Sequence, residues 1–369
     1  MREAIRVACL DATEVAAHVQ AWADLSRRCL EPSVFNEPGF ALPAARFIPS
    51  RRRPRFLLAW DESDPVRLIG LCCILEPVPF WPVAAWLHPQ ATAAFPLLDK
   101  VEAPRALAAL LDWTRRRPWR LPGFLVQGVP ADAETARLFR TLPHWDTMEI
   151  ERRSRAVLRA GDPLPSPAGK EFRRQARRLA EQGAWIESIG SPETAMGEAL
   201  DDFLRLEAEG WKGRRGTALV QSACLARFVR SMVLELAVSG SCRIDRLVVD
   251  GRPVAAGIVL RSQSRAYFWK TAYDEASARL SPGLHLADAI GRIQLEDREM
   301  ILTDSCAIPD HAMIDRLWPG RINVVDLLVG QRGGFPPTFR AAGRMERMRR
   351  RFRSFGKKLL AAAWRRRPR

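Results

Sequence analysis

Two periods of apolar residues run through this chain, and each predicts its own kind of element. Steps of three and four over Ala12–Cys29, Ala103–Arg116 and Ala131–Arg140 predict helices. Phe56–Trp60 and Arg67–Leu75 read as paired strands across the polar Asp61–Pro65 turn, and Phe124–Gly128 as a further strand. Pro77–Pro89, rich in Pro and Trp, reads as an ordered surface crossover. Pro163, Pro165 and Pro167, between Gly161 and Gly169, mark a break.

The pattern resumes with a helix at Lys170–Gln182, whose Arg173, Arg174, Arg177 and Arg178 lie on adjoining faces. A strand at Trp185–Ile189 precedes helices at Pro192–Glu209 and Ala223–Val238. Strands follow at Ile244–Val249, Val254–Arg261 and Ala266–Thr271, the first two joined by an Asp250-Gly251 hairpin signal. A helix at Leu284–Glu296, a strand at Met300–Asp304, a short helix at Asp310–Trp318 and a strand at Ile322–Val329 complete the body. Antiparallel strands leading into strand–helix–strand predict an α+β fold. Beyond it, Met345, Met348, Phe352, Phe355, Leu359 and Ala362 recur at helical spacing among arginines, a basic amphipathic helix that reads as a separate tail, frayed by Gly356 and Arg365–Arg369.

Charge sharpens this division. The formal charge is +16, yet residues 340–369 hold thirteen Lys/Arg against one acid, Glu346, so the body is nearly balanced. Seven scattered cysteines form no C-x-x-C, and five isolated histidines form no ligand pair, so no metal site is expected. Leu68–Leu87 is apolar but broken by Glu76 and three prolines, short of the roughly 20 residues of a membrane span. No leader pattern opens the chain, and a cytoplasmic protein is expected.

Candidate chemistry concentrates in one stretch. Lys270, Tyr273 and Ser281-Pro282-Gly283 lie between a strand and a helix start, in a chain with six lysines and two tyrosines. The first turn of a helix offers free N–H groups and a positive dipole end, which suit phosphate. This reads as the cofactor end of an acyltransferase. Tyr273 could protonate a leaving thiolate, and Asp274 or Glu209 could take a proton from an amine. Lys212 and Lys270 could hold phosphate or carboxylate; Trp211 and Asp304 complete the candidate substrate contacts. No Ser/His or Cys/His signature demands a covalent intermediate, so direct attack is favoured.

Several strings then resemble a known group. They are Phe203-Leu204-x-Leu206-Glu207-x-x-Gly210-Trp211-Lys212-Gly213, Gly216-Thr217-Ala218, Lys270-Thr271-Ala272-Tyr273-Asp274-Glu275, Ser281-Pro282-Gly283 and the earlier Val34-Phe35-Asn36-Glu37-Pro38. The chain is similar to the CelD-like acetyltransferase domain of the GNAT superfamily, with FemAB/FemX-type double-GNAT relatives. The resemblance implies two GNAT-like lobes, each a mixed, mostly antiparallel sheet flanked by helices: a degenerate one over residues 1–160 and an acetyltransferase-like one over 161–335, followed by the basic tail at 340–369. It implies transfer of an acyl group from acetyl-CoA or another acyl-CoA to a small-molecule or glycan acceptor, in envelope polysaccharide metabolism by analogy. Phosphate would meet Ser281, Pro282, Gly283 and Leu284. The family's [Q/R]-x-x-G-x-[G/A] loop is replaced here, with Leu280 and His285 at its basic and small positions.

Two other readings stand beside this one. The first is aminoacyl transfer from charged tRNA, as in FemAB/FemX relatives. The second is a catalytically degenerate binding module at the membrane periphery. The tail's charge and apolar stripe suit an anionic membrane, at the inner face, better than nucleic acid.

Overall fold

The structure is a computed structural model and describes residues 4–79, 81–115, 123–163, 169–191, 193–333 and 336–365, with side chains up to Phe352. The N-terminal half runs β1 (Ile5–Leu10), α1 (Val19–Arg27), α2 (Pro38–Phe47), β2 (Pro54–Asp61), β3 (Leu68–Leu75), β4 (Val83–Ala84), β5 (Leu97–Leu98), α3 (Ala103–Arg115), β6 (Phe124–Pro130), α4 (Glu134–Thr141) and β7 (Trp145–Arg159). The C-terminal half runs α5 (Lys170–Glu181), β8 (Trp185–Ile189), α6 (Glu193–Glu209), α7 (Trp211–Arg214), α8 (Ala223–Val238), β9 (Cys242–Val249), β10 (Arg252–Ser262), β11 (Arg265–Tyr273), α9 (Pro282–Glu296), β12 (Leu302–Asp304), α10 (Ile314–Leu317), β13 (Gly320–Gln331) and α11 (Pro336–Arg365).

These strands form two sheets, one ordered β1-β2-β3-β5 and the other β4-β6-β13-β7-β12-β11-β10-β9-β8. Each is mostly antiparallel and flanked by helices, the α+β, two-lobed plan expected from the sequence. The larger sheet draws on both halves of the chain. Its late strand β13 inserts between β6 and β7, pairing with β7 from Gly320↔Val157 to Gln331↔Trp145. A buried Asp326 fixes this seam, accepting from the Gly128 N–H at 2.7 Å and from Arg153. Gly128 has φ +69°, and a Cβ there would fall 2.3 Å from Thr92 O, so the turn admits glycine alone.

Four sequence expectations are corrected. The helix expected over Ala12–Cys29 begins only at Val19, after a single 3-10 turn. Pro77–Pro89 is no surface crossover from Val83 onward, since β4 joins the large sheet and Val83, Ala85, Trp86 and His88 are buried. α2 and β7 were not anticipated: Pro38, Gly39 and Pro43 disguise the helix, and a run of charges disguises the strand.

The fourth concerns the tail, which is not separate. Ala342 and Glu346 of α11 are buried against the large sheet, and Arg350 pairs with Glu151 at 2.6 Å and with Asp326. The helix also runs on past Gly356 to Arg365. Arg366–Arg369, Pro165 and Pro167, and the Pro192 helix start lie outside the described residues. Among the described residues no single helix is long and apolar enough to cross a membrane.

Candidate functional site

Strand β11 is the axis of the site. It pairs with β12, in parallel, only over Arg265–Tyr267. β12 then ends, and the chain turns away through Cys306, whose φ of 54° is left-handed. Phe268–Tyr273 therefore have no strand on that side, and a pocket of about 360 Å³ opens in the gap. Glu207 and Trp211-Lys212 form one wall, Ser305–Ala307 and His311 another, and Gly283 of α9 closes one end.

Helical phase puts Glu207 there. Met196, Leu200, Phe203 and Leu204 form the buried face of α6, and Glu207 continues it at 3% exposure. A carboxylate this deep needs partners. Its Oε1 accepts from Lys212 Nζ at 2.8 Å and its Oε2 from the Leu219 N–H at 2.8 Å. Lys212 also donates to Thr271 O at 3.4 Å.

Lys270 projects from β11 into the same space, its Nζ 4.9 Å from the Trp269 ring centroid. Burial, and then the like charge of Lys212, pull it down to about 8, with Glu207 opposing. The pocket sets two lysines, Lys212 and Lys270, against one carboxylate, Glu207, a balance that suits an anionic ligand. Cys306 also lines it, but burial and the Asp304 charge push its thiol up, so it stays protonated and a poor nucleophile.

Tyr273 links this pocket to α9. A Cβ on Gly283 would come within 3.1 Å of Tyr273 Cδ1, so the ring lies flush against the first helical turn. Helix α5 covers the outer side: Gln175 Nε2 donates to Arg279 O at 3.0 Å and to Ser281 Oγ at 3.2 Å, and Phe172 stacks on His285 at 4.2 Å. Burial holds the His285 imidazole below its ordinary range.

Residues 168–295 match the family model described as Acetyltransferase (GNAT) domain. FemX aligns over 88% of this chain and 98% of its own, with a TM-score of 0.56 and 9% identity. The C-terminal domain of a proposed lysylphosphatidylglycerol synthetase from Agrobacterium fabrum aligns over 88% and 95%, at 0.56 and 12%. A conserved protein of unknown function from Bacteroides thetaiotaomicron aligns over 89% and 99%, at 0.51 and 14%. The chain has a FemX-like fold, with the GNAT match in its C-terminal half. No curated protein matches its sequence.

Within this fold the sequence-derived candidates divide. Trp211, Lys212, Lys270, Tyr273 and Gly283 all line the pocket. Asp274 instead caps the turn after β11, accepting from the Ala276 N–H at 2.9 Å and the Ser277 hydroxyl at 3.0 Å. Glu209 lies at the exposed end of α6, 3.4 Å from Arg205. Ser281 adopts a left-handed φ of 50°, Pro282 is buried, and Leu284 packs into the core. Asp304 sits behind the wall, 3.2 Å from Arg155 and accepting from the Cys306 N–H at 2.8 Å. Glu207, Cys306 and His311 were not among the site residues drawn from sequence. Nor was Glu275, which accepts from the Trp211 N–H at 2.6 Å and pairs with Arg214 at 2.5 Å.

Proposed function

We propose that the chain is a GNAT-type acyltransferase moving an acyl group from acyl-CoA to an amine or hydroxyl of a small-molecule or glycan acceptor. The observation that carries this reading is the Lys212–Lys270 pocket where β11 and β12 part, ending on the first turn of α9. In this reading Lys270 and the α9 turn hold donor phosphate, and the acyl arm lies along Phe268–Tyr273. Tyr273 protonates the leaving thiolate, and its phenolate takes up the proton that the attacking nitrogen or oxygen sheds. The two ammonium groups disfavour a third charge beside them, so an amine acceptor enters neutral and attacks directly. The protonated Cys306 fits a route with no acyl-cysteine stage.

Calorimetric titration with acetyl-CoA and CoA tests the reading. Micromolar binding that Lys270→Ala weakens, with Tyr273→Phe lowering turnover more than binding, supports it. Unchanged behaviour in both variants removes the site assignment.

A second donor deserves the same titration. The exposed Arg173, Arg177 and Arg178 of α5 lie beside the turn that Gln175 grips, where a charged tRNA could rest its backbone. Binding of aminoacyl-tRNA, steeply salt-dependent, with none of acetyl-CoA would favour that donor.

A further inference from the structure

Helix α11 has two faces, and the fold uses one. Ala342 and Glu346 are buried, and Arg350 reaches into the sheet. At about 3.6 residues per turn, Met348 and Phe352 fall on the far side, where they are 55% and 68% exposed. Arg344 and Arg351 are exposed beside them. Glu346, the one acid among residues 340–369, is turned into the fold, so the outward face carries no negative charge.

A second element lies along the edge of this face, on the Glu346 side. Between α11 and the large sheet lies a cleft of about 180 Å³ whose walls include Arg52, Trp81, Met345, Glu346 and Arg349. Trp81 is 40% exposed. Arg349 is held by Glu346 at 2.7 Å. Arg52 donates through Nε to Glu76 O at 2.8 Å, but its Nη2 is buried without a hydrogen-bond partner among the described residues. Burial and the like charge of Arg349 hold Arg52 below its ordinary range, with the Glu76 charge opposing. Two guanidinium groups against the one Glu346 carboxylate leave the cleft net positive, with an Arg52 donor unused, which suits an anion.

We propose that this face docks on an anionic phospholipid bilayer, with Met348 and Phe352 in the interface and a headgroup phosphate between Arg52 and Arg349. Nucleic acid would reward the arginines but not two exposed large apolar side chains; a bilayer rewards both. The docking is independent of the acyl-transfer reading.

The test is flotation of the full chain with vesicles of phosphatidylcholine alone or with about one-third phosphatidylglycerol. The chain should float with the anionic vesicles and not with the neutral ones. Met348→Asp with Phe352→Asp should cut partitioning at least about tenfold. Arg52→Gln should cut it about fivefold, the share of one basic residue near such a surface. Thermal melting confirms that the variants fold, and Phe352→Ser alone serves if the double variant does not. Three results would overturn the proposal: no flotation, equal flotation with neutral vesicles, or a double variant that floats like the parent. Preferential binding of RNA, unchanged in the double variant, would assign the charge to nucleic acid instead.

Discussion

Glu207 closes an ion pair with Lys212 at 2.8 Å across the break between α6 and α7. Its charge also raises Lys270. One carboxylate therefore governs both cations of the pocket. Glu207→Gln should leave Lys212 without a partner and cost about 3 kcal/mol of stability, the lower end for a broken buried pair because Lys212 is partly exposed. It should also lower the pKa of Lys270 further. Urea unfolding and the pH profile of donor binding read the two effects separately. A variant with parental stability and profile would show that the pair is idle.

Lys270, at about 8, gives donor binding a pH signature. The ammonium is present below that value and is lost above it. Affinity for an anionic donor should be flat from pH 6.5 to 7.5 and then fall, approaching tenfold per unit well above 8 if the cation is essential. Lys270→Met should bind weakly at every pH, with that inflection gone. Titration by calorimetry from pH 6.5 to 9.5 decides it.

Much of the sheet was legible because strands such as β3, Leu-Ile-Gly-Leu-Cys-Cys-Ile-Leu, are apolar on both faces and read as buried. β7 was not, because Arg152, Arg153, Glu149 and Glu151 hide its period; Arg152 pairs with Glu149 inside the strand, and the buried partner of Arg153, Asp326, lies far along the chain. At the site, Lys270 and Tyr273 stood out through rarity. Glu207 lines the pocket and Glu209 does not, a phase that the spacing from Met196 to Leu204 already carries. Asp274 looked catalytic because a turn-capping aspartate and a free one are identical in sequence.

Glu37, which receives the Ser262 hydroxyl, joins the start of α2 to the end of β10. Burial pushes it up to about 7 from 4.5. Between those values the unfolded chain is ionised while the folded one keeps its proton. Stability should therefore fall as pH rises from 4.5 to 7 and level off above, by about 3 kcal/mol in all. Glu37→Gln keeps an acceptor for Ser262 and removes the slope. Its stability should match the parent near pH 4.5 and exceed it by up to about 3 kcal/mol at pH 8. Parallel pH dependence of the two urea midpoints would contradict this.

The docked half of α11 sets a final expectation, which separates the helix into two parts. Asp326 is fully buried and takes three kinds of donor: the Gly128 N–H, Arg153 and Arg350. Truncation before Pro336 removes Arg350 and uncovers the seam where β13 threads between β6 and β7. It also strips the cover from Gly330, which Phe339 approaches so closely that a Cβ would lie 2.5 Å from its ring. Arg153 still partly neutralises Asp326, so the electrostatic loss is about 2 kcal/mol. Burial lost from Phe339 and Ala342 adds about 2 kcal/mol more. Truncation after Phe352 leaves every one of these contacts and should move the urea midpoint little. Comparing the two truncations against the full chain tests whether residues 336–352 belong to the fold. Equal midpoints in all three would return the whole helix to the detached tail that its composition suggested.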